Sequence, residues 1–396
     1  MTTVAAAAHA DTDRASLRLL TAYRIISRFY FHLPVLFVLF YERDLSLPVV
    51  ETLLAAYGAT VALSGPAGPK LVRALGARRT IALGEACKAA GLLLMAVPTV
   101  ATMAAGQVLG GFGFSVSAGP DAGLLAGLVP DPARRGRLGA VMQSWMFMSV
   151  MVAGVIGAVL FSRIHTAVLY CSAAAALVAL VLVLAVREPR ATAPSGPRPA
   201  GQAAAAPSGT GWWSAYYIAG RVAALAPYVG LLPFLFFVRL EVDLAAIGAV
   251  LGLFTFAGFV SARYAGRVGE RFGPDVVALA GLVGTAVSLA LFGLFPERLP
   301  VALVAITLLG IFSGGVRPMA MAGLGRAGLA PGLQAARTGR LEQISGLVST
   351  PVLVLAGFLL PDRFGALILA VAAVVLAFAL ALLASRQAVR ATATAS

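Results

Sequence analysis

The chain has 396 residues, of which 60% are apolar and only 12% charged, with a mean hydropathy of +0.92, whereas soluble domains carry roughly 25% charged residues. That composition excludes a water-soluble globular protein. The formal charge of +14 sits in short basic clusters between apolar runs, the pattern of membrane loops rather than of a nucleic-acid surface.

The N-terminus is polar through Arg18, and the first apolar run ends in "YERDLS" with no small-residue cleavage site, so that run is expected to remain as a span. Apolar runs bounded by charge or proline fall at 22–41, 47–68, 80–97, 101–128, 138–161, 167–186, 213–238, 244–262, 274–295, 301–325, 341–360 and 366–384. A crossing takes about 20 apolar residues, so twelve transmembrane helices are predicted, and runs of this length are too long for barrel strands. Little chain is left over for a separate soluble domain. With the N-terminus inside, the inner segments hold twenty basic residues and the outer loops five. That asymmetry predicts a multi-pass protein of the cell membrane with both termini cytoplasmic.

Between the sixth and seventh runs lies "REPRATAPSGPRPAGQAAAAPSGTG", a stretch rich in Pro, Ala and Gly with no periodic pattern, read as a flexible cytoplasmic linker over 187–211. Around it the sequence repeats weakly at a spacing near 200 residues. "LPVLFVLF" around Pro34 is matched by "LPFLFF" around Pro233, "ARRGRL" (Ala133 to Leu138) by "ARTGRL" (Ala336 to Leu341), and Pro120 by Pro318. These matches predict two six-helix bundles in the same orientation, over 1–186 and 212–396.

Over nearly its whole length the chain resembles the major facilitator superfamily. That family carries a loop signature between the second and third helices of each half: glycine, any, leucine, any, aspartate, arginine, any, glycine, then basic residues. The second half reads "GRVGERFG", with Gly266, Glu270, Arg271 and Gly273 in register and glutamate for aspartate. The first half keeps Leu71, Gly76, Arg78 and Arg79, but Pro69 replaces the glycine and Arg73 the aspartate, which reverses the charge. The resemblance implies that these loops hold the bundles together on the cytoplasmic side through charge contacts with neighbouring helix ends. It also implies a central cavity lined by spans one, four, seven and ten. The family's span-four arginine falls on Gln107, and the span-five antiporter motif lacks its proline in "AGVIGA" (Ala153 to Ala158).

Ionisable groups inside spans cost about 2.5–3.5 kcal/mol each on insertion scales and usually face a cavity or a partner. The candidates are Arg24, Arg28 and His32 in span one, Glu51 in span two, Glu85 and Lys88 in span three, Asp121 in span four, Arg221 in span seven and Arg317 in span ten. Arg28 and His32 lie four apart and share one helix face, which fits an anion or proton site; the bland reading is a snorkelling arginine beside a packing histidine. Arg24 reads as snorkelling to the headgroups. Asp121, next to Pro120, and Arg317, next to Pro318, occupy nearly matching places in the two halves. Either Asp121 is a protonation or substrate-contact site, or Asp121 and Arg317 form a static pair across the bundles. Glu85 and Lys88, three apart, read as a local ion pair, and Glu51, one turn into span two, as an interfacial residue. Met142, Met146, Met148 and Met151 in span five offer either a polarizable ligand surface or ordinary packing, with packing the preferred reading. Cys87 and Cys171 lie inside apolar runs and read as packing residues.

No cofactor is expected. "GPAGPKL" near Lys70 lacks the Gly-Lys-Ser/Thr ending of a phosphate loop, and neither a His-Glu-x-x-His nor a Gly-x-Ser-x-Gly motif is present. An enzyme is thereby disfavoured, and a channel would ordinarily build its pore from assembled subunits instead of duplicating itself internally. The reading is a monomeric secondary transporter with a small-molecule substrate, a proton as coupling ion and lipid around it. The resemblance is strongest to drug and natural-product exporters, and uptake of a small anionic metabolite is the alternative.

Overall fold

The computed structural model describes residues 2–188, 209–326 and 331–395, and among them the chain is helical with no strand. The first half contains α1 (Thr2–Ile26), a 3-10 turn (Leu33–Val35), α2 (Leu36–Tyr41), α3 (Leu47–Leu63), α4 (Ala67–Leu75), α5 (Ala77–Ala96), α6 (Val100–Ser117), α7 (Pro120–Leu128), α8 (Pro132–Phe161) and α9 (Ala167–Ala185). The second half contains α10 (Thr210–Ala226), two π-helical stretches (Pro227–Leu231 and Phe234–Arg239), α11 (Leu244–Phe272), α12 (Pro274–Leu294), α13 (Leu299–Gly314), α14 (Val316–Arg326) and α15 (Pro331–Ala395). The linker read over 187–211 falls largely on 189–208, outside the described residues.

Each of the twelve apolar runs carries helix, and the punctuation follows residue chemistry. Proline opens α3, α7, α12 and α13 within the first two positions, where its missing N–H would have had no intrahelical partner. Gly76 (φ 82°) and Gly273 (φ 84°) close α4 and α11 in backbone conformations that a Cβ disfavours. Among the described residues, eight segments are individually long and apolar enough to cross a membrane, and a ninth counts if α3 and α4, bent by 58°, act together. One of these segments, Arg337–Gln387, has 51 residues, well over twice the roughly 20 that a crossing needs. It breaks at Arg363 (φ −130°, ψ 29°), between the runs read as spans eleven and twelve.

The repeated proline motif folds in two ways. In the first half, helix stops at Ile26 and regular α-helix resumes only at Leu36, because Pro34 can neither donate to nor avoid the carbonyl four residues back. The freed His32 N–H donates to Ser172 Oγ at 3.3 Å. Around Pro233 the chain stays helical by widening into π turns. The paired prolines 120 and 318 do break their spans, at Gly119 and Gly315.

Within the first half α5 packs on α6 and α9; within the second α11 packs on α13 and α12 on α15. Two seams join the halves, α3 with α15 and α8 with α11. Both rest on glycine: a Cβ on Gly346 would stand 2.7 Å from Gly58 O, and one on Gly248 would stand 2.7 Å from Gly154 O. Such close backbone approach suits helices that associate without a hydrophobic driving force. At the end opposite the basic clusters, Phe37 meets Phe234 edge-on at 6.3 Å and Tyr41 meets Phe237 at 6.3 Å. The outer helix faces carry exposed Val181, Leu184, Phe358 and Val374, an apolar surface suited to lipid.

Candidate substrate cavity

Between the halves lies a cavity of about 300 Å³. The unwound stretch after α1 contributes Arg28, Tyr30 and His32; α3 contributes Tyr57, α5 Lys88, α6 Gln107 and Phe114, α8 Gln143 and Phe147. From the second half come Arg221 on α10, Tyr228, Arg317 at the start of α14, and Glu342 on α15.

Among the described residues no carboxylate lies within ion-pair distance of Arg28. Its Nη1 donates to Tyr30 Oη at 2.7 Å, its guanidinium carbon lies 5.1 Å from the Phe114 ring centre, and its Nε has no hydrogen-bond acceptor. Cation–π contacts and one phenol hold the group in place without neutralising it. His32 Nδ1 lies 2.9 Å from Ser172 Oγ, and that hydroxyl donates to Val168 O at 2.7 Å. With the serine proton so committed, His32 Nδ1 must be the donor, which leaves Nε2 as the ring atom free to accept.

In the second half, Glu342 gathers three partners. Tyr217 donates its hydroxyl to Oε1, Arg221 Nε approaches Oε2 at 3.3 Å, and Arg317 Nη1 lies 3.6 Å from Oε1. On the first-half side Lys88 pairs with Glu85 at 2.6 Å, and Tyr23 donates to the same oxygen at 3.1 Å. The lining thus holds four cationic side chains and one carboxylate. Glu85 neutralises Lys88 from behind the wall, so the lining carries two more positive than negative charges, among aromatic and aliphatic side chains and neutral polar ones such as Gln107, Gln143, Ser345 and Ser349. Gln107 Nε2, also buried, has no acceptor.

Several expectations change. Asp121 and Arg317 do not pair: α7 restarts at Pro120 and turns Asp121 toward α1, where Arg24 Nη2 reaches its Oδ2 at 2.9 Å. Asp121 does not line the cavity, and Arg24 is buried in this pair rather than snorkelling. Removing one partner of a buried pair strands the other charge. Asp121→Ala is therefore expected to cost about 3–5 kcal/mol, read as a lowered unfolding midpoint, while the doubly neutral Arg24→Met/Asp121→Leu variant should recover most of the loss. The Glu85–Lys88 pair forms as read. Glu51, read as interfacial, is fully buried. Met142 packs in the first-half core with its sulfur 3.4 Å from Arg24 Nη1, whereas Met146 faces the cavity.

Among the described residues, the loop charges make no ion pair across the halves. Ala77 N–H donates to Glu188 Oε1 at 2.7 Å, and Arg78 reaches the carbonyls of Leu184 and Val186 at 3.3 and 3.4 Å, all within the first half. Arg73, Arg79, Glu270 and Arg271 are exposed, and Arg271 lies over Phe272; Gly266 and Gly273 have open space beside them. In the second half the corresponding tie is Asp275 with Arg386, which also lies 4.9 Å over Trp212.

Glu342 was not foreseen, because it stands two residues after Arg340 and looks like the charged edge of a run. A signal was present: Glu342, Ser345 and Ser349 fall on one helix face, and all three line the cavity.

The family profile described as Major Facilitator Superfamily matches residues 22–239. The chain belongs to the major facilitator superfamily. Superfamily membership makes it a multi-pass membrane transporter and not an enzyme. A stretch of 69 residues is 39% identical to "Major facilitator superfamily multidrug transporter mfsB" of Aspergillus fumigatus, covering 17% of this chain and 11% of that protein. Superfamily architecture also appears in three solved structures. The human organic anion transporter MFSD10 (TETRAN) superposes with a TM-score of 0.71 at 15% identity, over 93% of this chain and 99% of that one. A mutant of the nucleoside transporter NupG gives 0.70 at 14%, over 94% and 99%. A POT family transporter in complex with a thioalcohol-conjugated peptide gives 0.71 at 12%, over 93% and 95%. At these identities the superfamily likeness is one of fold.

Proposed function

We propose that this transporter carries a small amphipathic molecule bearing an acidic group, by alternating access of two halves over 1–186 and 212–396 about the central cavity. The observation that carries the reading is Arg28, a guanidinium in the cavity wall that forms no ion pair with a carboxylate among the described residues. An anion entering there gains charge-assisted hydrogen bonds, and Phe114, Phe147 and Tyr228 offer surface to its apolar body. Arg221, Arg317, His32 and Gln107 complete the proposed contacts, with Asp121 as a support that fixes α7 against α1.

The proposed direction is export coupled to protons, across the cell membrane of a monomeric carrier whose basic face and termini are cytoplasmic. The partial likeness to a multidrug transporter and the mixed aromatic lining support it. The loop residues Arg73, Gly76, Arg78, Arg79, Gly266, Glu270, Arg271 and Gly273 are proposed to act in gating, through contacts made in another conformation.

Glu342 favours a second reading. A substrate anion competes with it for Arg221 and Arg317, so protonating Glu342 frees both arginines and makes proton and anion bind together. That is the arithmetic of uptake. Proteoliposomes loaded with a fluorescent organic acid and given an imposed pH gradient separate the two. Acid moving against the proton flow supports export by exchange, acid moving with it supports co-transport, and movement of cations in preference to the acid rejects the anion reading.

A further inference from the structure

Of the buried carboxyl groups among the described residues, Glu51 is the one that neither lines the cavity nor forms an ion pair. It lies on the fifth residue of α3, at the end of the bundle opposite the basic clusters, and its side chain is fully buried. Neither Oε1 nor Oε2 has a hydrogen-bond partner. The carboxyl is pressed against the second half: a Cβ on Gly230 would collide with its oxygens, and one on Gly357 would stand 3.2 Å from the Glu51 Cβ and 2.7 Å from the Pro48 Cα. Glu51 is therefore a plug in the α3–α15 seam, in space that two glycines leave open.

Charged and titratable neighbours have been directed elsewhere. On α3 the next titratable side chain is Tyr57, which lines the cavity. On Pro227–Leu231 it is Tyr228, stacked on Phe254 at 4.7 Å. The part of α15 against the seam has none between Glu342 and Asp362, and α6 has none at all. In the turn before α3, Glu42 pairs with His165 at 3.2 Å, Arg43 donates to Met95 O at 3.2 Å and Asp44 is exposed, while Tyr41 at the end of α2 stacks on Phe37 at 5.8 Å. A carboxylate charge enclosed here would have no counter-charge and no donor among the described residues, and burial disfavours that charge far more than it disfavours a neutral carboxyl.

We propose that Glu51 is a proton-binding site that governs closure of this end of the transporter: the seam between the halves closes over the protonated carboxyl, and separation of α3 from α15 returns the proton to the water it came from. Low pH on that side then favours the closed seam, whichever molecule the cavity carries. The carboxyl is proposed to work as a latch, since closing and opening exchange one proton with the same aqueous phase.

Spin labels at Ser46→Cys and Asp362→Cys, at the seam ends of α3 and α15 in a Cys87→Ser/Cys171→Ser background, report the separation in nanodiscs. Between about pH 5.5 and about pH 8.5 the open-to-closed ratio should rise by at least about tenfold, as expected for one linked proton. Glu51→Gln, neutral at every pH, should stay closed throughout. Should that variant not fold, Glu51→Met, of similar length and also uncharged, serves with the same expectation. His165→Asn should keep the wild-type dependence. A pH-independent distance in the parent protein, an unchanged dependence in the Glu51 variant, or its loss in His165→Asn would each overturn the proposal.

Discussion

Arg28→Leu is expected to weaken binding of an acidic substrate by about 30- to 5,000-fold, the range for removing one member of a buried charge pair, 2–5 kcal/mol. The size of the effect follows from what Arg28 lacks. Arg221 and Arg317 already share Glu342, so losing either leaves the other and the carboxylate close to balance. The Arg28 guanidinium leans on Phe114 and Tyr30, contacts that fix its position without cancelling its charge, so a ligand anion is the partner it is free to gain. Leucine removes the charge together with the hydrogen bond to Tyr30 and the cation–π contacts, so the comparison of a charged with a neutral ligand isolates the charge. Titration of the purified variant with a fluorescent acid and with its neutral amide reads the difference; equal losses for both ligands would mean that Arg28 acts by shape alone.

Gly346→Val is expected to lower transport by about ten- to a hundredfold while the protein still inserts, since overpacking costs about 1–3 kcal/mol. The obstacle is backbone: the added Cβ would lie 2.7 Å from Gly58 O, and a carbonyl on a helix cannot rotate away as a flexible side chain can. Relief requires α3 and α15 to separate, which disfavours every state in which that seam is closed. Gly123, beside which nothing lies within 4 Å, supplies the control, and Gly123→Val should transport normally. Initial rates in proteoliposomes, with labelled distances across the seam, distinguish a blocked cycle from a misfolded protein.

The fold was legible in the sequence because hydrocarbon imposes a strict length and composition on every span, and prolines 34, 120, 233 and 318 sit at repeat-related places. What the two Pro34/Pro233 motifs would do was not legible. One breaks the helix and the other widens it, and the difference lies in tertiary partners such as Ser172, 140 residues from His32. The site was half legible. Arg28, His32, Gln107, Arg221 and Arg317 stand out as polar residues within apolar runs, and all line the cavity. Partner choice was hidden: matching positions pointed to Asp121 with Arg317, whereas each pairs within its own half. Periodicity says which face a residue takes and is silent about which helix stands opposite. Glu51 shows the same limit, since a carboxyl near a helix end reads as interfacial until the second half is laid over it.

The central claim is that the positive charge of an inter-half cavity selects an organic anion. Its most direct test is the unfolding midpoint of the purified protein titrated with an amphipathic carboxylic acid and, separately, with its uncharged amide, because a ligand that binds only the folded state raises the midpoint in proportion to its affinity. A saturable rise with the acid, little with the amide, and abolition of the difference by Arg28→Leu are expected. Equal stabilisation by acid and amide, or stabilisation by a matched amine alone, would contradict that claim.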